Sequence, residues 1–420
     1  MRIRKTGQMD DILKLPVSRM AALLVAVLCF LSLVDAIVPQ LGLYLFGQVL
    51  VREAAVKAVL LAAVVLGCLF FPRILLAEGP IVTWLLCIAY LAVEIRHLTS
   101  ALGMSFVDVL QSYAVYYLLL LIGPALLVFR GRVSQGLIIR CTVFLMLICA
   151  SVGVAQHVTA QPILYTESTD GSFRVDSWNF FDQVRAFSLF TTALNFGIFC
   201  ALCGALGVAM FRTRRVWGAL LFTVSAVASF TTLTRLSYLV FICACSYALV
   251  LTFGKKPGRG LWHPLLYFAL GISTVMVGLY YLINSNTSQL QDPSSLLERT
   301  GQWIYYWDLI RQSSLADQLF GVGIVQNENI LPLYPMLIDN LPLALVLHIG
   351  VVGLAVFGTL LIKMWLYLRR EALATRQPFV VAAASLWAAL SCAGIFNIVL
   401  SSFGAVFALA VLCRKDSSRV

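Results

Sequence analysis

Five arginines, Arg174, Arg185, Arg235, Arg299 and Arg311, are the residues whose type and placement point to chemistry. A guanidinium presents a planar fork of donors that matches two phosphate oxygens, and each charge-assisted hydrogen bond is worth about 1.5–3 kcal/mol. Arg235 stands in a very short gap, Thr234-Arg235-Leu236-Ser237, between two apolar runs. Burying a guanidinium at mid-membrane depth costs on the order of 2.5–3.5 kcal/mol, so a cation there calls for a reason. The set suits a lipid-linked phosphate or pyrophosphate at a bilayer surface. The competing reading is snorkelling to the interface or ion pairing with Asp or Glu.

Aromatic and acidic residues accompany the arginines. In the stretch from Gln156 to Phe187, Phe173, Trp178, Phe180 and Phe181 alternate with Asp170, Asp176, Asp182, Arg174 and Arg185. Rings beside charges suit an interfacial belt or the stacking of a sugar. Further on, Ser295 followed by Glu298 forms a capping box, and Arg299, Trp303, Tyr306 and Ile310 repeat at helical spacing. This predicts an amphipathic helix of about four turns on the outer surface, with Arg299 beside Trp303, and with Trp303, Tyr306 and Trp178 as rings for a glycan. The helix stops before Phe320-Gly321-Val322-Gly323, and Pro332, Pro335 and Pro342 then favour a turn-rich path. Asp339 at the membrane edge is a candidate general base, with Asp35 as a second. An N-cap role for Asp339 is the structural alternative.

Several familiar sites are excluded. The chain has no G-x-x-x-x-G-K-[ST] loop, no H-E-x-x-H pair and no D-x-D arrangement for a metal-bound nucleotide sugar. His97, His157, His263 and His348 are scattered, and His348 reads as a helix-packing histidine. All eleven cysteines fall in or at the ends of apolar runs, where a thiol behaves as a small hydrophobe, and Cys200 and Cys203 read as packing residues despite their C-x-x-C spacing.

The elements that must position these residues are membrane spans. The 420 residues are 61% hydrophobic and 12% charged, against about 25% charged in an average soluble chain. Roughly 20 apolar residues cross a hydrocarbon core of about 30 Å as a helix. Twelve runs qualify, near 20–38, 54–72, 80–95, 107–129, 137–155, 187–211, 216–233, 236–253, 264–283, 341–362, 377–393 and 397–413. The first run reads as a retained span, since it lacks a clear small-x-small cleavage site.

The formal net charge of +11 is explained by topology. With the N-terminus inside, twenty-one of the 30 basic residues fall on the inner side and eight on the outer, with Arg140 within a span. That is the positive-inside pattern for an even number of spans with both termini cytoplasmic, and it is no nucleic-acid footprint. The expected fold is a single all-α polytopic membrane domain over residues 1–420, with two long outer loops at 156–186 and 284–340.

Four stretches in the second half resemble the O-antigen polymerase and ligase superfamily of membrane glycosyltransferases. They are Arg185-Ala186-Phe187-Ser188-Leu189-Phe190, Thr234-Arg235-Leu236-Ser237, Arg299 with Trp303 and Gly321-Val322-Gly323, and Asp339-Asn340 ahead of Gly350 and Gly353. Ligases of the superfamily carry His-Asn, His-Ser or His-Gln nine residues before a G-x-x-G; here Asp339 takes the His position with the spacing kept. The resemblance therefore favours a Wzy-type polymerase over a WaaL-type ligase. It implies an undecaprenyl-pyrophosphate-linked oligosaccharide as donor, attacked by an acceptor sugar hydroxyl with no nucleotide, cofactor or metal. Arg185, Arg235 and Arg299 would stabilise the departing pyrophosphate, Arg174 would help to bind it, and Asp339 would act as base. The implied setting is the bacterial inner membrane, beside membrane lipid, a flippase and a chain-length regulator.

The alternatives are a ligase that transfers the glycan to lipid A core, a flippase for lipid-linked oligosaccharides, and a structural assembly partner. A flippase should carry its charges near mid-membrane. The intramembrane ions are few, mainly Glu94, Asp108 and Arg140, while the outer loops are long and rich in Arg, Asp and aromatics, which favours an enzyme.

Overall fold

In the computed structural model, the described residues are 16–34, 36–47, 131–165, 179–180, 183–254, 294–321, 341–394 and 400–414. The runs expected as spans at 54–72, 80–95, 107–129 and 264–283 lie outside them. Within them the chain is overwhelmingly helical, an all-α membrane protein. Four helices are long and apolar enough to cross a membrane, Gln135–Thr159, Ala193–Met210, Arg235–Phe253 and Pro342–Thr375, with a bent pair near the N-terminus as a fifth candidate.

That bent pair consists of α1 (Pro16–Leu33) and α2 (Ile37–Phe46). The expected straight run to residue 38 ends instead at Leu33, and the axis turns by 84°. Pro39 supplies a reason: in a continuous helix it would lose the bond to residue 35 and press its ring on that carbonyl. In the first turn of α2 its missing N–H costs nothing. Gly47 closes α2 in the left-handed region, its N–H donating to the Leu43 carbonyl at 2.9 Å.

The centre of the bundle is α4 (Ala193–Met210), buried without interruption from Phe196 to Met210. Around it stand α3 (Gln135–Thr159), α5 (Arg215–Thr231), α6 (Arg235–Phe253) and α10 (Pro378–Ala393). Lipid tails are as apolar as these side chains, so close backbone approach at small residues carries much of the association. Gly197 abuts Ser237 of α6, and Gly204 abuts Phe241 and Cys245, so α4 and α6 run parallel with their N-termini at one end. Gly207 meets α5: a Cβ there would lie 2.8 Å from the Gly218 carbonyl oxygen, and one at Gly218 2.7 Å from the Gly207 carbonyl oxygen.

Two corrections to the expected spans have clear causes. The run 187–211 becomes helix only from Ala193, because the amides of Phe187 and Ser188 are held by the Gln156 side chain of α3 and Ser188 takes a positive φ. The run 341–362 becomes α9 (Leu341–Thr375), kinked at Gly350 and continuing helical to Thr375, about 37 Å beyond the kink at 1.5 Å per residue. Lys363, Arg369 and Arg370, expected in an inner connection, are therefore helical, and the Arg369 guanidinium lies 5.5 Å from the centre of the Trp365 ring. Similarly α3 begins at Gln135, so Arg140 sits within two turns of its end and is exposed.

One end of the bundle is tied by polar contacts. Arg376, at φ +53°, turns the chain from α9 into α10, and its guanidinium donates to the carbonyls of Leu251, Thr252 and Gly254 at the C-terminus of α6. These are carbonyls that a helix end leaves without intrahelical partners. At the same end β1 (Val133–Ser134) pairs in parallel with β4 (Cys413–Arg414), the Gly131 N–H donates to Val411, and α11 (Leu400–Leu412) packs on α1. A cavity of about 130 Å³ lies there, lined by Gly131, Glu371, Thr375, Gln377 and Cys413 among others. The opposite end holds the N-termini of α4 and α6.

Candidate functional site: the end of the bundle that carries Arg185 and Arg235

The site begins with an antiparallel pair of two-residue strands, β2 (Asn179–Phe180) and β3 (Gln183–Val184), with Asn179 opposite Val184. β3 leads directly into Arg185, and the next amide, Ala186 N–H, donates to the Thr231 carbonyl at 3.0 Å. Residues 185–192 are thus fastened to the C-terminus of α5 before α4 starts. Thr192 caps α4, its hydroxyl accepting from the Asn195 N–H at 3.1 Å.

A buried glutamine organises this segment. Gln156 of α3 is fully buried, and its Oε1 accepts from the N–H of Phe187 at 3.2 Å and of Ser188 at 2.8 Å. Its Nε2 donates to the carbonyls of Ile163 at 3.0 Å and Ser188 at 3.2 Å. Ser188 sits at φ +54°, and its hydroxyl donates to the Cys149 carbonyl at 2.7 Å. Tyr165 packs edge-on against Phe187, ring centres 5.1 Å apart, while Phe190 stacks on Phe196 and lies tilted against Phe199. Non-helical backbone within an apolar bundle must be satisfied by protein, and here it is.

The turn from α5 to α6 lies against this segment. Thr231 and Thr232 donate their hydroxyls to the carbonyls of Ala228 and Ser229, and Leu233 takes φ +48°. Thr234, the N-cap of α6, donates its hydroxyl to Thr232 O at 3.0 Å and makes no side-chain cap bond. The first turn of α6 therefore keeps the positive character of an uncapped N-terminus, and Arg235 adds a guanidinium to it. A cation in the first turn opposes the helix dipole by about 0.3–1 kcal/mol, an opposition that an anion would reverse.

The side chain of Arg235 is exposed, in the first turn of α6 directly after the short α5–α6 connection. Arg185 is half-buried and near enough to Tyr238 of α6 to act on it electrostatically. The Tyr238 hydroxyl donates to Phe230 O at 2.9 Å, and its ring stacks on Phe230. Two of the arginines singled out by sequence thus share one end of the bundle, joined through Ala186 and Thr231.

A second segment, 294–321, packs on α9. α7 (Ser294–Gln312) is longer than the four turns expected, and it breaks at Ser313 before α8 (Leu315–Phe320). Ser314 caps α8, accepting from the Asp317 N–H at 3.2 Å. Tyr306 and Ile310 are buried against Leu343, Ala344, Val346 and Leu347, with Trp303 at the margin. Tyr306, expected to meet a glycan, is 0% exposed; its ring has no surface for a sugar and packs α7 onto α9. Trp307 and Tyr305 are the exposed rings of α7, and Trp303 is half-buried.

α8 ends at Gly321, φ +83°, against the kink of α9 at Gly350, φ +70°. His348 stands at this kink, half-buried. Arg299 belongs to α7, upstream of Trp303. Asp339, Asp35, Arg174 and Trp178 lie outside the described residues. Among the described residues no three His, Cys, Asp or Glu side chains gather to hold a metal ion.

Gln156, Ser188 and Tyr238 are the residues that sequence reasoning passed over. A lone glutamine near the end of an apolar run was the available signal, since a buried carboxamide needs partners on both its atoms. The chain matches no family model and no curated protein significantly.

Proposed function

We propose that the protein is a membrane glycosyltransferase that polymerises undecaprenyl-pyrophosphate-linked oligosaccharide repeat units on the periplasmic face of the bacterial inner membrane, with both termini cytoplasmic. The observation that carries the reading is the attachment of the Arg185 segment to the end of α5, beside the uncapped helix N-terminus that bears Arg235.

In this reaction an acceptor sugar hydroxyl attacks the anomeric carbon of the donor, the glycosidic bond forms, and the bond to pyrophosphate breaks with its electron pair. Negative charge grows on the leaving pyrophosphate, so fixed cations contribute most in the transition state. Arg185, Arg235 and Arg299 hold that charge, Arg174 assists binding, and Asp339 takes the hydroxyl proton. Rings such as Trp303 and Trp178 flank the glycan. The donor carries its own leaving group, so neither nucleotide nor metal takes part. The resemblance of the four stretches to O-antigen polymerases supports the same assignment.

The test is the length of lipid-linked glycan in a deletion strain complemented with wild type or Arg235→Ala at matched membrane levels. Single repeat units with the variant are the expected result. Full-length glycan left on its carrier in the deletion strain would identify a ligase instead, and repeat units confined to the inner leaflet a flippase.

A further inference from the structure

We propose that Gln156 is a positioning residue, whose buried carboxamide fixes the backbone of Phe187 and Ser188 and thereby the place of Arg185 beside α6. This rests on the reading of Arg185 as a pyrophosphate ligand.

A carboxamide has two donor hydrogens and two acceptor lone pairs, and Gln156 uses all four, with Phe187, Ser188 twice and Ile163. Counting the Ala186 bond to Thr231, three successive amides after Arg185 are committed to side chains or backbone of other elements. The Ser188 hydroxyl adds a fourth anchor on Cys149.

The sequence Phe187-Ser188-Leu189-Phe190-Thr191-Thr192 is apolar enough to continue α4 toward its N-terminus, which is how the pattern alone reads. A helical continuation would satisfy those amides within the helix and rotate Arg185 away at 100° per residue. Gln156 selects the turned conformation, because its acceptor meets two of these amides and its donor the Ser188 carbonyl. Gln156 itself is fully buried, so its influence on a polar substrate at the bundle end runs through this backbone.

Gln156→Met keeps the size and removes the hydrogen bonds. At matched membrane levels we expect about a tenfold or greater fall in polymer formation, approaching that of Arg185→Ala. The double variant Gln156→Met/Arg185→Ala should be no worse than Arg185→Ala alone, because both act on one cation. Hydrogen exchange of the purified full chain should show faster uptake over residues 186–190, with α4 beyond Asn195 and α6 unchanged.

Gln156→Asn keeps the carboxamide one methylene short, and should share the Met phenotype; it replaces the Met variant should that one fail to fold. Losses that multiply in the double variant would overturn the proposal, as would wild-type exchange at 186–190 in both variants. Normal polymer from Gln156→Met and Gln156→Asn, with Arg185→Ala defective, would overturn this proposal alone. Normal polymer from Arg185→Ala would remove Arg185 from the pyrophosphate reading and this proposal with it.

Discussion

Gly321 and Gly350 turn their missing side chains onto each other's segments: a Cβ on Gly321 would strike the backbone of His348 and Ile349, and one on Gly350 the backbone of Leu319 and Phe320. Both residues also hold positive φ, so glycine is required twice over. The contact seats α8 on the kink of α9 and, with Tyr306, fixes the helix that carries Arg299.

Gly321→Ala and Gly350→Ala should each destabilise the folded protein by about 1–3 kcal/mol, through strain and overlap together. The measurement is thermal unfolding in detergent, and the pair should cost less than the separate losses added, since they disturb one contact. Unchanged melting in either variant would contradict this packing.

Arg235→Ala should not lower melting, because the side chain is exposed and opposes the α6 dipole, and should lower polymer formation by about 10- to 100-fold. That range corresponds to one lost charge-assisted interaction of about 1.5–3 kcal/mol. Arg235→Lys should recover part of the activity as a point charge without the bidentate fork. A null phenotype accompanied by a lowered melting temperature would mean that Arg235 is structural.

Arg376→Ala should do the reverse. It removes the donors on the three carbonyls at the far end of α6, at a cost of about 1–3 kcal/mol, and leaves glycan length unchanged per folded molecule. Shortened glycan at equal folded protein would show that the two ends of α6 are coupled.

Sidedness can be read by labelling intact cells with an impermeant maleimide. A cysteine replacing Ser295 should react from outside, and one replacing the exposed Lys363 only after permeabilisation. Cys29, Cys141, Cys149, Cys200, Cys203, Cys243, Cys245 and Cys413 are buried or half-buried, and a parallel labelling of the unsubstituted protein sets the background. Reversed labelling would invert the topology and with it the periplasmic assignment.

Hydropathy made α3, α4, α6, α9 and α10 legible, because apolar length is what lipid demands. Their ends were less so. The start of α4 moved to Ala193 because Gln156, 37 residues before it in the chain, competes for amides that a local pattern assigns to a helix. At α9 the helix runs on past the apolar stretch to Thr375, so Lys363 and Arg369 lie in helix and not in the connection expected. In sequence, Arg185 and Arg235 stood out by type and placement, and the helical spacing from Arg299 to Ile310 anticipated α7, which begins at Ser294 with Ser295 already inside it. The burial of Tyr306 was not legible, since helical spacing does not say which face meets another helix.

The contact between α11 and α1 gives the protein a clock. On a ribosome adding about 5–20 residues per second, α1 waits on the order of tens of seconds before its partner near residue 400 is made. Throughout that interval Ala22, Val25 and Cys29, buried in the finished bundle, must be borne by lipid or by an insertion chaperone. A nascent chain stalled before α11 keeps that face without its partner helix.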